Sequence, residues 1–293
     1  MDKTWVMRRA EVVPAPALVI GAIASVQGGA AVATKLFPQV GAGGAVFLRL
    51  ALSALIVCLF VRPNLSEVRG DVLLMLSYGV VLGAMNTAFY LAIARVPLGV
   101  AVTIEFLGPL AVAVGGSRRG LDLLWVVLAA IGVVLLAGGG GHLRVSGVVY
   151  AAVAAACWAA YILLAQRVGR AVPGMLGLAV ALAAGAVLVA PYGIVVGGTA
   201  LVRPGALSKG IAIAVLSSAV PYSLELAALR RLRAATFGVL MSLEPAMAAL
   251  SGLLFLGQRL RALEWVAIAF VMVASVGATS TSKAREPLEM IDG

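Results

Sequence analysis

Residues Met175–Ala190 read MLGLAVALAAGAVLVA, without one charged or hydrogen-bonding side chain. Apolar residues fill every position rather than alternate ones. That rules out a strand of an outer-membrane barrel, where lipid-facing and lumen-facing residues alternate. As a helix the stretch is hydrophobic all round, which marks a core helix of a large protein or a membrane span. Val148–Ala160, VVYAAVAAACWAA, is apolar in the same way. Outward from these two runs the whole chain keeps this character. Of its 293 residues 62% are hydrophobic and 12% charged, with 34 glycines besides, and mean hydropathy is +1.09. A soluble domain has about 25% charged residues, so this chain could not cover a water-facing surface. Disorder needs low hydrophobicity and is excluded too.

A spanning helix takes about 20 apolar residues. Charged clusters and Gly/Pro punctuation divide the chain into ten such segments: 13–33, 42–61, 71–93, 98–115, 121–138, 147–166, 174–196, 210–229, 235–256 and 262–281. The expected fold is therefore all-α, a polytopic membrane protein of ten transmembrane helices with no room for a separate soluble domain. Lys3, Arg8 and Arg9 precede the apolar stretch Pro14–Ala33. This is longer than the ~7–15-residue core of a cleaved signal peptide, so it reads as an uncleaved first span. With that start inside, the cytoplasmic segments hold 14 Lys and Arg and the opposite ones 7, with Arg49 inside a span. The excess puts both termini in the cytoplasm. The net charge of +10 is scattered in ones, twos and threes between apolar runs, a topology signal and not a nucleic-acid surface. Cys58 and Cys157 lie inside apolar runs and the sole histidine, His142, in a loop. No disulfide framework, metal site or cofactor is expected.

The run Gly138–Gly141 followed by His142 divides the spans five and five. RVPLGVAVTIEFLGP (Arg95–Pro109) lies on RLRAATFGVLMSLEP (Arg231–Pro245) at an offset of 136, and Leu123-Leu124-Trp125 answers Leu263-Glu264-Trp265 at 140. Residues 1–140 and 141–281 thus read as two related units, with 282–293 a cytoplasmic tail. An odd number of spans per unit forces opposite orientations. Inverted repeats of this kind belong to secondary transporters, whose substrate site lies near mid-membrane between the units. The alternative is an old duplication kept for packing.

A charge at the bilayer centre costs at least about 2.5–3.5 kcal/mol, so it needs a partner or a wet cavity. Arg49, Glu105, Glu225 and Glu244 qualify. At 1.5 Å per residue, Gln27, Arg49, Asn86 and Glu105 fall at nearly one depth. Arg49 and Glu105 form the obvious ion pair, either a buried clamp or a cavity pair that changes partners during transport. Glu244 stands near the middle of its span, before Pro245. Pro109 takes the matching place in the other unit, and Pro221 precedes Tyr222 and Glu225. Proline removes a backbone hydrogen bond and breaks or kinks a helix, freeing backbone groups for a ligand. A carboxylate beside such a break suits a substrate ammonium or a proton, although Glu225 could simply neutralise Arg230 or Arg231. Trp158 and Tyr161, with Tyr78 and Tyr90, either line the passage or pack. Gly79 and Gly83 give the GxxxG spacing of close helix contact. There is no phosphate loop, no HExxH and no intramembrane nucleophile pair; an enzyme is not expected, and energy must come from gradients.

Several stretches resemble the EamA group of the drug/metabolite transporter superfamily, and most of all its amino-acid exporters. They are SVQGGAAVATKLFP (Ser25–Pro38), FLRLAL (Phe47–Leu52), RVPLGVAVTIEFLGPLAVA (Arg95–Ala113), ACWAAYILLAQR (Ala156–Arg167), VPYSLELAALRRL (Val220–Leu232) and TFGVLMSLEPAMAALSG (Thr236–Gly252). The resemblance implies export of small neutral amino acids from a bacterial inner membrane, threonine or homoserine foremost, by proton antiport. Many members of the group have a glutamate where this chain has Gln258, so coupling falls on Glu105, Glu225 or Glu244. Lys35 also stands one place later than in those exporters. Substrate contacts are expected from Gln27, Arg49, Asn86, Glu105, Trp158, Tyr161, Tyr222 and Glu244, in a monomer or weak homodimer. A carrier of drugs or other metabolites is the rival within the same fold; a channel or membrane enzyme is the rival outside it.

Overall fold

In the computed structural model of the chain, residues 13–61, 72–115, 120–138, 143–171, 176–229, 231–232 and 234–282 are described. The basic cluster Lys3, Arg8 and Arg9, residues 139–142 with the boundary between the units, Arg230, and the tail from 283 lie outside them. The described residues are helical wherever the sequence is continuously apolar. The elements are α1 (Ala15–Val61), α2 (Val72–Ile93), α3 (Leu98–Glu105), α4 (Leu107–Gly115), α5 (Gly120–Gly138), α6 (Val145–Ala171) and α7 (Leu176–Gly197). After a short 3-10 turn at Gly198–Val202 come α8 (Pro204–Ala214), a π turn at Val215–Ala219, α9 (Val220–Leu229), α10 (Ala234–Met241), α11 (Glu244–Leu256) and α12 (Ala262–Ser282). The chain is an all-α polytopic membrane protein, and among the described residues eight helical stretches are long and apolar enough to cross a bilayer.

The first of these stretches, Ala15–Phe60, has 46 residues, more than twice what one crossing needs. It breaks at Gly41, where φ is 68° and ψ 171°, a conformation open to glycine because it has no Cβ. The loop expected between 33 and 42 is therefore absent: the helix runs on through Lys35 and Pro38 up to the glycine. Lys35 is exposed there, and one proline does not stop a helix that packing supports on its other face. A shorter apolar helix lies within α5, over Leu124–Leu136.

Helices of one half pack on helices of the other. α1 lies against α7, α8 and α9, α2 against α6 and α7, α3 against α11, and α5 against α12. Lipid is as apolar as leucine, so association depends on close packing of small residues. A Cβ on Gly79 would stand 2.5 Å from the Ala184 Cβ, and one on Gly83 3.2 Å from the Gly185 Cα. The GxxxG spacing thus seats α2 on α7. The buried core, with Leu36, Leu50, Tyr90, Leu98, Ile104 and Ile213, lies along this junction of the halves.

Two crossings are broken at corresponding points. α3 and α10 have eight residues each; Ala234 follows Leu98, and Met241 follows Glu105, by the offset of 136 found in the sequence. Phe106 separates α3 from α4, and Ser242-Leu243 separate α10 from α11. Pro109 has no N–H for the Glu105 carbonyl and Pro245 none for that of Met241, so the break follows from the proline three or four residues ahead. Pro221 acts differently. The crossing does not stop there but widens into the π turn, with the Val220 N–H bonded to the Val215 carbonyl. In that register the carbonyl left without a donor by Pro221 is that of Leu216, five residues back. Ser25 Oγ on α1 donates to it at 2.7 Å.

Candidate functional site

A cavity of about 210 Å³ opens where α1, α2, α6, α9 and the α10–α11 break converge. Helical spacing aims its wall. Ile23 and Val26 on the first limb of α1, and Leu82, Met85 and Asn86 on α2, recur at intervals of three and four, one face of a helix. Arg49 and Leu50 come from the second limb of α1, Trp158 and Tyr161 from α6, and Ser217, Ser218, Pro221, Tyr222 and Glu225 from the π turn and α9. Met241 and Glu244 flank the α10–α11 break. The volume lies below the ~300–1,000 Å³ of pockets for drug-sized ligands and suits a small metabolite. Two larger hollows, about 420 and 410 Å³, have no charged residue in their walls.

Glu244 is the first residue of α11, followed by Pro245. A carboxylate there meets the positive end of the helix dipole. It is 7% exposed. Gln27, buried on α1, donates from Nε2 to Glu244 Oε1 at 3.2 Å. Glu244 Oε2 and Gln27 Oε1 are buried without a partner. Glu225 is within electrostatic reach of Glu244. Asn86 Nδ2 donates to the Leu82 carbonyl at 2.9 Å, which leaves one amide proton and the carbonyl oxygen for a ligand.

Of the residues named from sequence, Arg49, Asn86, Trp158, Tyr161, Tyr222, Glu225 and Glu244 meet in this wall, and Gln27 stands behind Glu244. Glu105 ends α3, is buried, and is not part of the wall. The expected ion pair between Arg49 and Glu105 is not made. Arg49 attracts Glu105 across space while the Glu244 carboxylate repels it, and Arg49 and Glu105 share no contact within 4.0 Å. Arg49 instead holds its guanidinium carbon 5.6 Å from the centre of the Tyr90 ring. Tyr90 is fully buried beside Phe37 and belongs to the core, not to the passage. Tyr78 stacks on Tyr161 with ring centres 4.9 Å apart, and Trp158 meets Phe106 edge-on. Gln258 accepts the Leu98 N–H at 2.9 Å, so this side chain caps the start of α3 from the opposite half. Ser217 and Ser218 escaped the sequence reading; the available signal was two adjacent hydroxyls in an apolar span, three and four residues before a proline.

The EamA-like transporter family model matches residues 145–280. The chain is 46% identical over 275 residues to the threonine/homoserine exporter RhtA of Salmonella typhimurium (strain SL1344), covering 92% of this chain and 93% of that protein. It is 45% identical over 279 residues to the protein of that name from Escherichia coli (strain K12), covering 94% of each. A solved crystal structure of a protein superposes with a TM-score of 0.62 at 20% identity, over 93% of this chain and 98% of that one; this likeness shows the fold alone. A cavity joining both halves, walled by a guanidinium and carboxylates, and relatives of this identity along nearly the whole length converge on membrane transport and not on an enzyme: the chain belongs to the EamA-like transporter family.

Proposed function

We propose that the chain is a secondary exporter of small neutral amino acids, threonine and homoserine first, driven by protons moving the opposite way. One observation carries this reading: Arg49 and Glu244 share a small cavity without bonding to each other, and Glu244 Oε2 has no partner. A zwitterion offers a carboxylate to the first and an ammonium to the second. The names of the relatives support the choice of substrate.

In this reading Arg49 and Asn86 hold the carboxylate, and Glu105 or Glu244 the ammonium, with Glu244 the one of the two in the cavity wall. Trp158, Tyr161 and Tyr222 enclose the ligand. One of Glu105, Glu225 and Glu244 carries the coupling proton. Residues 1–140 and 141–281 act as inverted units of five crossings each, counting α1 as two and α5 as one, with 282–293 as the tail. The α3–α4 and α10–α11 breaks let the units rock about the cavity. Both termini face the cytoplasm of a bacterial inner membrane, in keeping with the distribution of Lys and Arg. One chain supplies the whole cavity, so a monomer or a weak homodimer suffices, with no cofactor.

Counterflow in proteoliposomes tests the reading. Labelled threonine and homoserine should accumulate against unlabelled amino acid and saturate; no counterflow with either would overturn it. The aromatic wall of Trp158, Tyr161 and Tyr222 also favours a second reading, efflux of lipophilic cations. Overproducing cells resistant to cationic dyes, but not to threonine analogues, would establish that one instead.

A further inference from the structure

Helical serine and threonine hydroxyls in this protein habitually donate to the carbonyl four residues back. Thr34 bonds Ala30, Thr87 bonds Gly83, Thr103 bonds Gly99 and Ser223 bonds Ala219, at 2.6–3.0 Å. Such back-bonding satisfies a hydroxyl where water is excluded. Ser217 departs from it. Its residue lines the cavity and is 6% exposed, yet Oγ has no partner; among the described residues it is the buried serine or threonine hydroxyl left so. The adjacent Ser218 is paired with Ser53 at 2.9 Å. A π turn is wider than an α turn, is rare, and occurs frequently at functional sites. Here Pro221 and the Ser25–Leu216 bond hold it open. Ser217 Oγ rests over Gly29, where a Cβ would collide with it. No hydrogen bond retains the hydroxyl there, so it can change its staggered rotamer when a partner arrives.

We propose that the Ser217 hydroxyl reads the side-chain hydroxyl of the transported amino acid, and so selects hydroxy-amino acids over alkyl ones of the same shape. This rests on the exporter reading above. A serine hydroxyl both donates and accepts, so it pairs with an alcohol in either sense. An alkyl substrate leaves it buried and unsatisfied, and that unmade bond is the source of discrimination.

The test compares threonine with valine, its isostere, as labelled substrates for counterflow by the full chain in proteoliposomes. The wild-type protein should favour threonine. In Ser217→Ala the threonine-to-valine ratio should fall about tenfold, the worth of one good hydrogen bond, through a higher KM for threonine with valine flux retained. Retained valine flux also reports that the variant is folded. Should Ser217→Ala fail to accumulate, Ser217→Cys, with a weaker donor of similar size, should lower the ratio by less. A wild-type ratio in whichever variant accumulates overturns the proposal. Equal wild-type transport of threonine and valine overturns it while leaving the exporter reading intact. A wild-type protein that moves neither overturns both.

Discussion

Gln27 and Glu244 are joined by a hydrogen bond of 3.2 Å, from the first limb of α1 to the first turn of α11. They are 217 residues apart in sequence, so this bond ties the two halves together at the cavity. It uses one carboxylate oxygen and leaves the other free. The free oxygen therefore belongs to a side chain already bound to the other half of the chain.

Glu244→Gln keeps the shape and a hydrogen-bonding partner for Gln27 but cannot ionise. Export of threonine by everted vesicles should fall by at least tenfold, and any residual flux should lose its response to an imposed pH gradient. Membrane abundance should stay normal. Unchanged, pH-responsive flux in this variant would remove Glu244 from the mechanism.

Arg49→Gln removes the cavity cation. A hydrogen bond to a charged group contributes about 1.5–3 kcal/mol, so the KM for threonine should rise by roughly ten- to a hundredfold. Binding of threoninol, which lacks the carboxylate, should change little. Equal losses for both compounds would make Arg49 a structural residue only.

Gln258→Leu leaves the Leu98 N–H at the head of α3 without its acceptor. Loss of a helix cap costs about 1 kcal/mol, which a lowered melting temperature in detergent should reveal. Gln258→Glu retains an acceptor there and should melt close to the wild type. A Leu variant as stable as the wild type would show that the cap is dispensable.

Gly79→Leu puts a branched side chain where even a Cβ would stand 2.5 Å from Ala184. Overpacking of a tight contact costs typically 1–3 kcal/mol. The variant should accumulate poorly in the membrane and melt earlier. A leucine at Val80, one residue along and exposed, should be tolerated.

Much of this was legible in one dimension because lipid imposes a strict rule on a chain: backbone groups must bond internally and charges must be sheltered. Against the ten crossings expected from apolar runs bounded by charge, eight helical stretches among the described residues are long and apolar enough to cross a bilayer: Lys35 and Pro38 suggested a loop that the helix ignores until Gly41, and the fifth expected span holds a shorter apolar helix. The same rule singled out Arg49, Asn86, Glu225 and Glu244, which do meet. It could not tell which charge touches which. Arg49 and Glu105 share a depth, but azimuth around a helix is set by packing, and Tyr90, not Glu105, lies under the guanidinium. Nor did it single out Ser217, because a serine in a span is ordinary until the turn that carries it is seen to be π.

The order of residues alone determined that this is a helical membrane protein and marked Pro109, Pro221 and Pro245 as places where a helix is disturbed, because hydrophobic length and a missing N–H act locally. Only the folded chain decided that Gln27 reaches Glu244, that Gln258 caps α3, and that Pro221 opens a turn instead of ending a helix. Those outcomes depend on groups 160 to 217 positions away, such as Ser25 for the Leu216 carbonyl, and no local preference encodes the distance between them.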